Sequence, residues 1–319
     1  MKKNKAALIL IIFLSAAVSS HGAVWPFAKK EKVKLTEARE LYAKQDYEGA
    51  VAKLRDFLVE STVKRREKKA YILMGESYEQ LGRLDGALST YLEGVELNPK
   101  NKDLLMHLAR LYDQADLTKN SIETYRRVLE IDPKAESATL GLARAYAREG
   151  FFSRAQQYYK KFFDLKPKNM KSYLYEYALN YYRQRNYNAA LFHIGLSLET
   201  YKDRFQDNFL AARISRDMGD KENAAKFLAA ALAAENNYDA VMTKALWAAQ
   251  DGDYAAALKI ADGALAADPA DNLALYIKYM VYARQGKTKE ARAYLLKITA
   301  PENESFVRRA AQARLNANI

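Results

Sequence analysis

Residues 68–101 read KKAYILMGESYEQLGRLDGALSTYLEGVELNPKN, and this stretch decides the fold. Gly75 and Ala87 are small residues twelve positions apart. Tyr78 follows the first by three, Tyr91 follows the second by four, Gly82 breaks the middle and Pro99 closes the segment. On either side of Gly82 the apolar residues fall at three- and four-residue intervals, which is helical spacing. The stretch is two helices joined by a tight turn. Glycine there takes the left-handed backbone conformation that ends a helix, and proline marks where the second helix stops.

The same pattern runs outward in both directions. An alanine or serine recurs at Ala50, Ala87, Ser121, Ala155, Ala190, Ala224, Ala257 and Ala291, at spacings of 37, 34, 34, 35, 34, 33 and 34. Twelve residues before each lie Ala38, Gly75, Ala109, Ala143, Ala178, Ala212, Ala245 and Tyr279. The turn position holds Gly82, Gly150, Gly219, Gly252 and Gly286, with Gln45, Asp116 and Arg185 in the other units. Pro99, Pro133, Pro167 and Pro269 share one phase of the repeat. Small residues let paired helices approach closely, while tyrosines and leucines fill the space between pairs. One such hairpin cannot bury its apolar face alone, so the units must stack.

These residues resemble the tetratricopeptide repeat family over residues 33–301. The resemblance is fullest at 68–101, 102–135 and 136–169. It is thinner at 31–64, which lacks the turn glycine, and at 205–237, where Ser215 and Lys221 replace aromatics. It implies an all-α, right-handed α-solenoid of about eight antiparallel helix hairpins. Residues 302–319, with Phe306, Ala310, Ala313 and Leu315, read as a C-terminal capping helix that covers the last bare face.

Ahead of the array, residues 1–23 read as a secretory signal peptide. Lys2, Lys3 and Lys5 precede an apolar run from Ala6 to Val18, and small residues follow it. The run is too short for a membrane span, which needs about 20 residues. Residues 24–32, with Trp25, Phe27, Lys29, Lys30 and Lys32, form a basic, aromatic leader. The predicted location is the periplasm, or the exterior, after cleavage. The chain of 319 residues carries a net charge of +12; losing three lysines and no acids with the signal leaves +9.

Composition excludes much chemistry. There are no cysteines and only three histidines among 319 residues, so disulfides, thiolate sites and most imidazole chemistry are absent. Gly286-Lys287-Thr288 has Val281 where a phosphate loop needs glycine. Gly75-Glu76-Ser77-Tyr78-Glu79 ends in glutamate where a nucleophile elbow needs glycine. His107 and His193 have no helical partner at metal spacing. The expectation is a chain that is not an enzyme and carries no cofactor or metal.

In the family, partners bind on the surface lined by the first helix of each hairpin. Carried onto this sequence, the groove positions are Met106 and Arg110; Leu140, Arg144 and Arg148; Tyr175, Tyr182 and Arg183; Phe209, Arg213 and Arg216; then Met242, Leu246, Tyr276, Met280 and Arg284. Arginine among aromatic and methionine residues is a composition enriched in binding surfaces. The expected partner is a protein or peptide, partly acidic, held by a non-catalytic adaptor of the bacterial cell envelope. The family's carboxylate-clamping constellation is not matched, since Ile72, Glu76, Met106 and Arg110 occupy its positions. Export argues against nucleic acid as a partner. The rival expectation is a cell-wall, polysaccharide or membrane-surface protein that uses exposed basic faces, the densest being Lys64, Arg65, Arg66, Lys68 and Lys69.

Overall fold

A computed structural model describes residues 26–59 and 67–298. Among them are sixteen α-helices and no strand, divided between two compact units. The first unit, up to Glu149, holds α1 (Pro26–Ala43), α2 (Tyr47–Val59), α3 (Lys68–Gln80), α4 (Leu84–Leu97), α5 (Lys102–Gln114), α6 (Thr118–Ile131) and α7 (Glu136–Arg148). The second begins with α8 (Phe152–Leu165), a 3-10 turn at Pro167–Asn169, α9 (Met170–Arg183), α10 (Tyr187–Thr200) and α11 (Phe205–Asp217). It continues with α12 (Lys221–Ala234), α13 (Tyr238–Asp251), α14 (Tyr254–Ala267), α15 (Asn272–Arg284) and α16 (Thr288–Ile298). Residues 1–23, Lys64 to Arg66 and 302–319 lie outside the described residues. Helix α1 opens at Pro26 and so takes in most of the stretch set apart as a leader.

Each unit is a run of hairpins in which consecutive helices pack on each other. Odd-numbered helices also touch their odd-numbered neighbours, α3 against α1 and α5, α9 against α11, and α13 against α15. That is the α-solenoid arrangement. The recurring small residues sit at the crossings: Ala38, Ala50, Ala87, Ala109, Ala178, Ala190, Ala212, Ala245 and Ala257 are all fully buried. At Gly75 a Cβ would land on the ring of Tyr91, itself fully buried. Large side chains between the crossings, such as Leu54, Leu104, Leu142, Ile194 and Ile277, are also inaccessible. Each stabilises the stack by about 1.5–3 kcal/mol relative to exposure.

The turns carry the clearest sequence-to-backbone link. All eight turn residues have positive φ: Gly82, Gly150, Gly219, Gly252 and Gly286, and also Gln45 (63°), Asp116 (54°) and Arg185 (59°). In the hairpin of α3 and α4, the Gly82 N–H donates to the Glu79 carbonyl at 3.0 Å and the Arg83 N–H to the Tyr78 carbonyl at 2.9 Å. This pair of bonds is a Schellman cap, which satisfies carbonyls a helix end leaves open. The longer bond recurs as Leu117 to Tyr112, Asn186 to Tyr181, Asp220 to Ser215 and Lys287 to Tyr282. The unit at 205–237 therefore closes its hairpin despite Ser215 and Lys221. Backbone geometry, not the aromatic ring, is what that position must supply.

Candidate functional site

The last turns of the odd-numbered helices are tied together across repeats. In the first unit, the Arg148 guanidinium on α7 donates to the Asp113 carboxylate on α5, and Tyr125 of α6 donates its hydroxyl to the same carboxylate at 2.9 Å. In the second unit, Tyr182 on α9 donates to Asp217 on α11 at 2.8 Å. Arg216 on α11 forks onto Asp251 of α13 at 2.6 and 3.0 Å, and Arg284 on α15 donates to the Gln250 carbonyl at 2.7 Å. Lys221 adds a third donor to Asp251 at 2.6 Å, and these bonds hold its carboxyl down at about 2. Forked, charge-assisted bonds of this kind are the strong ones. Arg148 and Arg216, read from the sequence as groove donors, are thus engaged within the protein.

The first unit also gathers a polar cluster on α3, α4 and α5. Tyr91 donates to Glu79 at 2.5 Å, its ring stacks on His107 with centroids 5.4 Å apart, and Arg110 approaches the His107 Nδ1 at 2.9 Å. Arg110 can only donate, so Nδ1 accepts and the imidazole is neutral with its proton on Nε2, 3.6 Å from Glu76. Burial first, and the Arg110 charge second, push His107 down to about 4. Burial raises Glu76, with Glu79 adding to the effect. Met106 is half-buried beside this cluster, while Arg110 and Arg144 are exposed. Leu140 is core, not groove lining.

In the second unit α9 and α11 bring together the remaining expected residues. The Arg213 guanidinium lies 5.1 Å over the ring of Tyr182 and 6.0 Å over that of Phe209. Phe209 stacks in turn on Phe205 at 5.5 Å. Burial, and next the Asp207 charge, raise the Tyr175 hydroxyl's pKa, while Arg213 and Arg183 act on it in the opposite sense. Arg183 and Arg213 are exposed, and neither has an ion-pair partner among the described residues. Met242, placed in the groove by the same spacing, is core. Trp247, which that spacing passes over, lies under Arg216 at 5.3 Å.

Sequence spacing missed the acids that hold this face, Asp113, Asp217 and Asp251, and the Glu76–His107 pairing. A scan for polar pairs 35 residues apart would have found three of the straps, two between Arg and Asp and one between Tyr and Asp. Among the described residues no group of three His, Asp or Glu gathers as a metal site, and no helix is long and apolar enough to cross a membrane.

Comparison with known proteins agrees with this architecture. A 68-residue stretch is 37% identical to anaphase-promoting complex subunit 3 of Dictyostelium discoideum, covering 21% of this chain and 7% of that much longer one. A solved tetratricopeptide repeat protein from Parabacteroides merdae superposes with a TM-score of 0.58 at 13% identity, over 90% of this chain and all of that one. PilW, a type IV pilus biogenesis factor, gives 0.52 at 20% identity over 64% of this chain and 93% of its own. PilF of Pseudomonas aeruginosa gives 0.52 at 14% identity over 66% and 95%. At these identities the likeness shows the fold alone. The tetratricopeptide repeat family pattern itself matches residues 35–102, 72–136 and 243–305, and together with the hairpin stack and its caps this places the chain in the tetratricopeptide repeat family.

Proposed function

We propose that this chain is a non-catalytic protein–protein interaction scaffold of the bacterial cell envelope. Its binding face is the one built by α9 and α11, and the partner is an extended or helical segment that is partly acidic. The carrying observation is Arg213, an exposed guanidinium stacked on Tyr182 and Phe209 with no carboxylate engaging it among the described residues. Arg183, exposed at the end of α9, acts on Tyr175 in the same electrostatic sense as Arg213. Arginine offers a planar fork to carboxylates, and the rings supply rigid apolar contact area. Arg148 and Arg216 hold the helix ends in place and leave the contact to Arg183 and Arg213. The envelope reading rests on the signal-like residues 1–23, with PilW as a structural relative that serves pilus biogenesis.

The test uses the chain from residue 24 onward as bait on envelope fractions. An Arg183→Ala/Arg213→Ala variant should keep its helical circular dichroism and lose the captured partner. Capture by the parent should weaken as salt rises. If the variant retains every partner while charge reversal over residues 64–69 loses them, the basic-surface reading replaces this one.

A further inference from the structure

One hairpin of the second unit leaves a cleft of about 1120 Å³ between α13, α14 and the start of α15. Its origin is legible in the side chains. The wall of α14 is small, through Ala256, Gly263, Ala264 and Ala267. Glycine inside a helix lowers stability relative to alanine. Nothing steric asks for it here, since a Cβ on Gly263 would meet no atom within 4 Å. The helix carries that cost and keeps the wall bare.

The cleft has a definite chemistry. Val241, Met242, Ile260 and Leu273 make an aliphatic floor. Lys244 from α13 and Lys259 from α14 are exposed on its lining, with no ion-pair partner among the described residues. Tyr238 is fixed at one end by its hydroxyl, 2.8 and 2.7 Å from the two oxygens of Asp271. The two carboxylates of the lining are already engaged, Asp271 by Tyr238 and by the Leu273 and Ala274 N–H groups, and Asp268 by the Ala270 N–H at 2.9 Å. From Ala256 to Ala267 the α14 wall runs about 16 Å at 1.5 Å per residue.

We infer that this cleft is a second docking site, which takes a short protein segment with aliphatic side chains flanked by Asp or Glu. Aliphatic side chains cover the floor, and carboxylates meet Lys244 and Lys259. The small wall lets the segment's backbone approach closely. A fatty acyl chain would satisfy the floor but brings one carboxylate, whereas the lining offers two lysines on two different helices. The inference uses none of the residues of the α9–α11 face, so either can fail without the other.

The experiment pans displayed random peptides of about 12 residues, the helix length that matches the α14 wall, against the full chain. Enriched sequences should combine Leu, Ile, Val or Met with Asp or Glu. Fluorescein-labelled copies, read by anisotropy, should bind Gly263→Leu at least about tenfold more weakly than the parent. That variant should melt no lower than the parent, because its Cβ enters open space; if it does melt lower, Ala267→Phe at the exposed end of α14 serves as the block. Lys244→Ala/Lys259→Ala should weaken binding and flatten its salt dependence, and Arg183→Ala/Arg213→Ala should leave it unchanged. Three outcomes overturn the inference: no aliphatic–acidic enrichment, equal affinity for the blocked variant, or loss of binding only with the arginine pair. Binding of dansyl-undecanoate that Gly263→Leu abolishes, with no peptide bound, would assign the cleft to acyl chains instead.

Discussion

Acidification from pH 7 to 5 should destabilise this protein through His107. The ring is held neutral by burial against Tyr91 and by the Arg110 N–H at its Nδ1, so its folded pKa lies at about 4 against an ordinary value of 6.5. The folded state therefore binds fewer protons than the unfolded chain between those values. Stability is complete above the unfolded pKa and is lost as pH falls toward the folded one. Each pKa unit corresponds to about 1.4 kcal/mol, so the full loss approaches ~3 kcal/mol at pH 4 and is about 2 kcal/mol by pH 5. The raised carboxyl of Glu76 works in the opposite sense, since its protonated form is favoured in the fold. A His107→Phe variant keeps a ring on Tyr91 and removes the titration. Urea unfolding followed by circular dichroism at pH 7, 6 and 5 gives both slopes. His193, whose pKa is also lowered by burial, is common to both proteins and cancels in the difference. The parent should lose about 2 kcal/mol more than the variant over this range. Parallel losses would show that His107 is not buried neutral, and the cluster on α3 to α5 would have to be redrawn.

Four further outcomes are expected. Ala155→Leu places a large side chain at a fully buried crossing position and should cost about 1–3 kcal/mol in chemical denaturation. Arg185→Gly relieves a side chain from the left-handed region and should raise stability by about 0.5–1 kcal/mol, seen as a higher melting temperature. Arg216→Ala removes the fork on Asp251 and the cation over Trp247; it should cost about 1–3 kcal/mol and shift the tryptophan emission. The exported protein should have an intact mass that lacks residues 1–23, whereas a mass starting at Met1 in the membrane fraction would reverse the export reading.

The fold was legible because its determinants are local and repeated. A small residue at a crossing, a left-handed turn position and a proline after the second helix each act within a few residues; the turn recurs in eight units and the proline in four, and the copies reinforce one another. Even Gln45, Asp116 and Arg185 were locatable by phase, although their chemistry gives no hint of a positive φ. The site was less legible. Spacing grouped Arg148 and Arg216 as groove donors but could not show that Asp113 and Asp251 engage them, because a strap depends on two side chains 35 residues apart meeting in space. His107 looked like an ordinary helix residue for the same reason: Glu76, Tyr91 and Arg110 come to it from three helices. The cleft beside α14 was invisible because its small wall, Ala256, Gly263, Ala264 and Ala267, falls at positions to which the repeat pattern assigns no residue type.

The straps between last turns also bear on how such a chain can change length. Arg148 to Asp113, Tyr182 to Asp217 and Arg216 to Asp251 each join residues 35 apart. A duplication or loss of one whole hairpin keeps every remaining strap opposite an equivalent position. A single-residue insertion within α11 does not: it turns the residues beyond it by about 100° around the helix, and swings Arg216 and Asp217 away from both neighbours at once. In the strapped helices, length variation is therefore confined to two routes, entire hairpins or the turns at their ends.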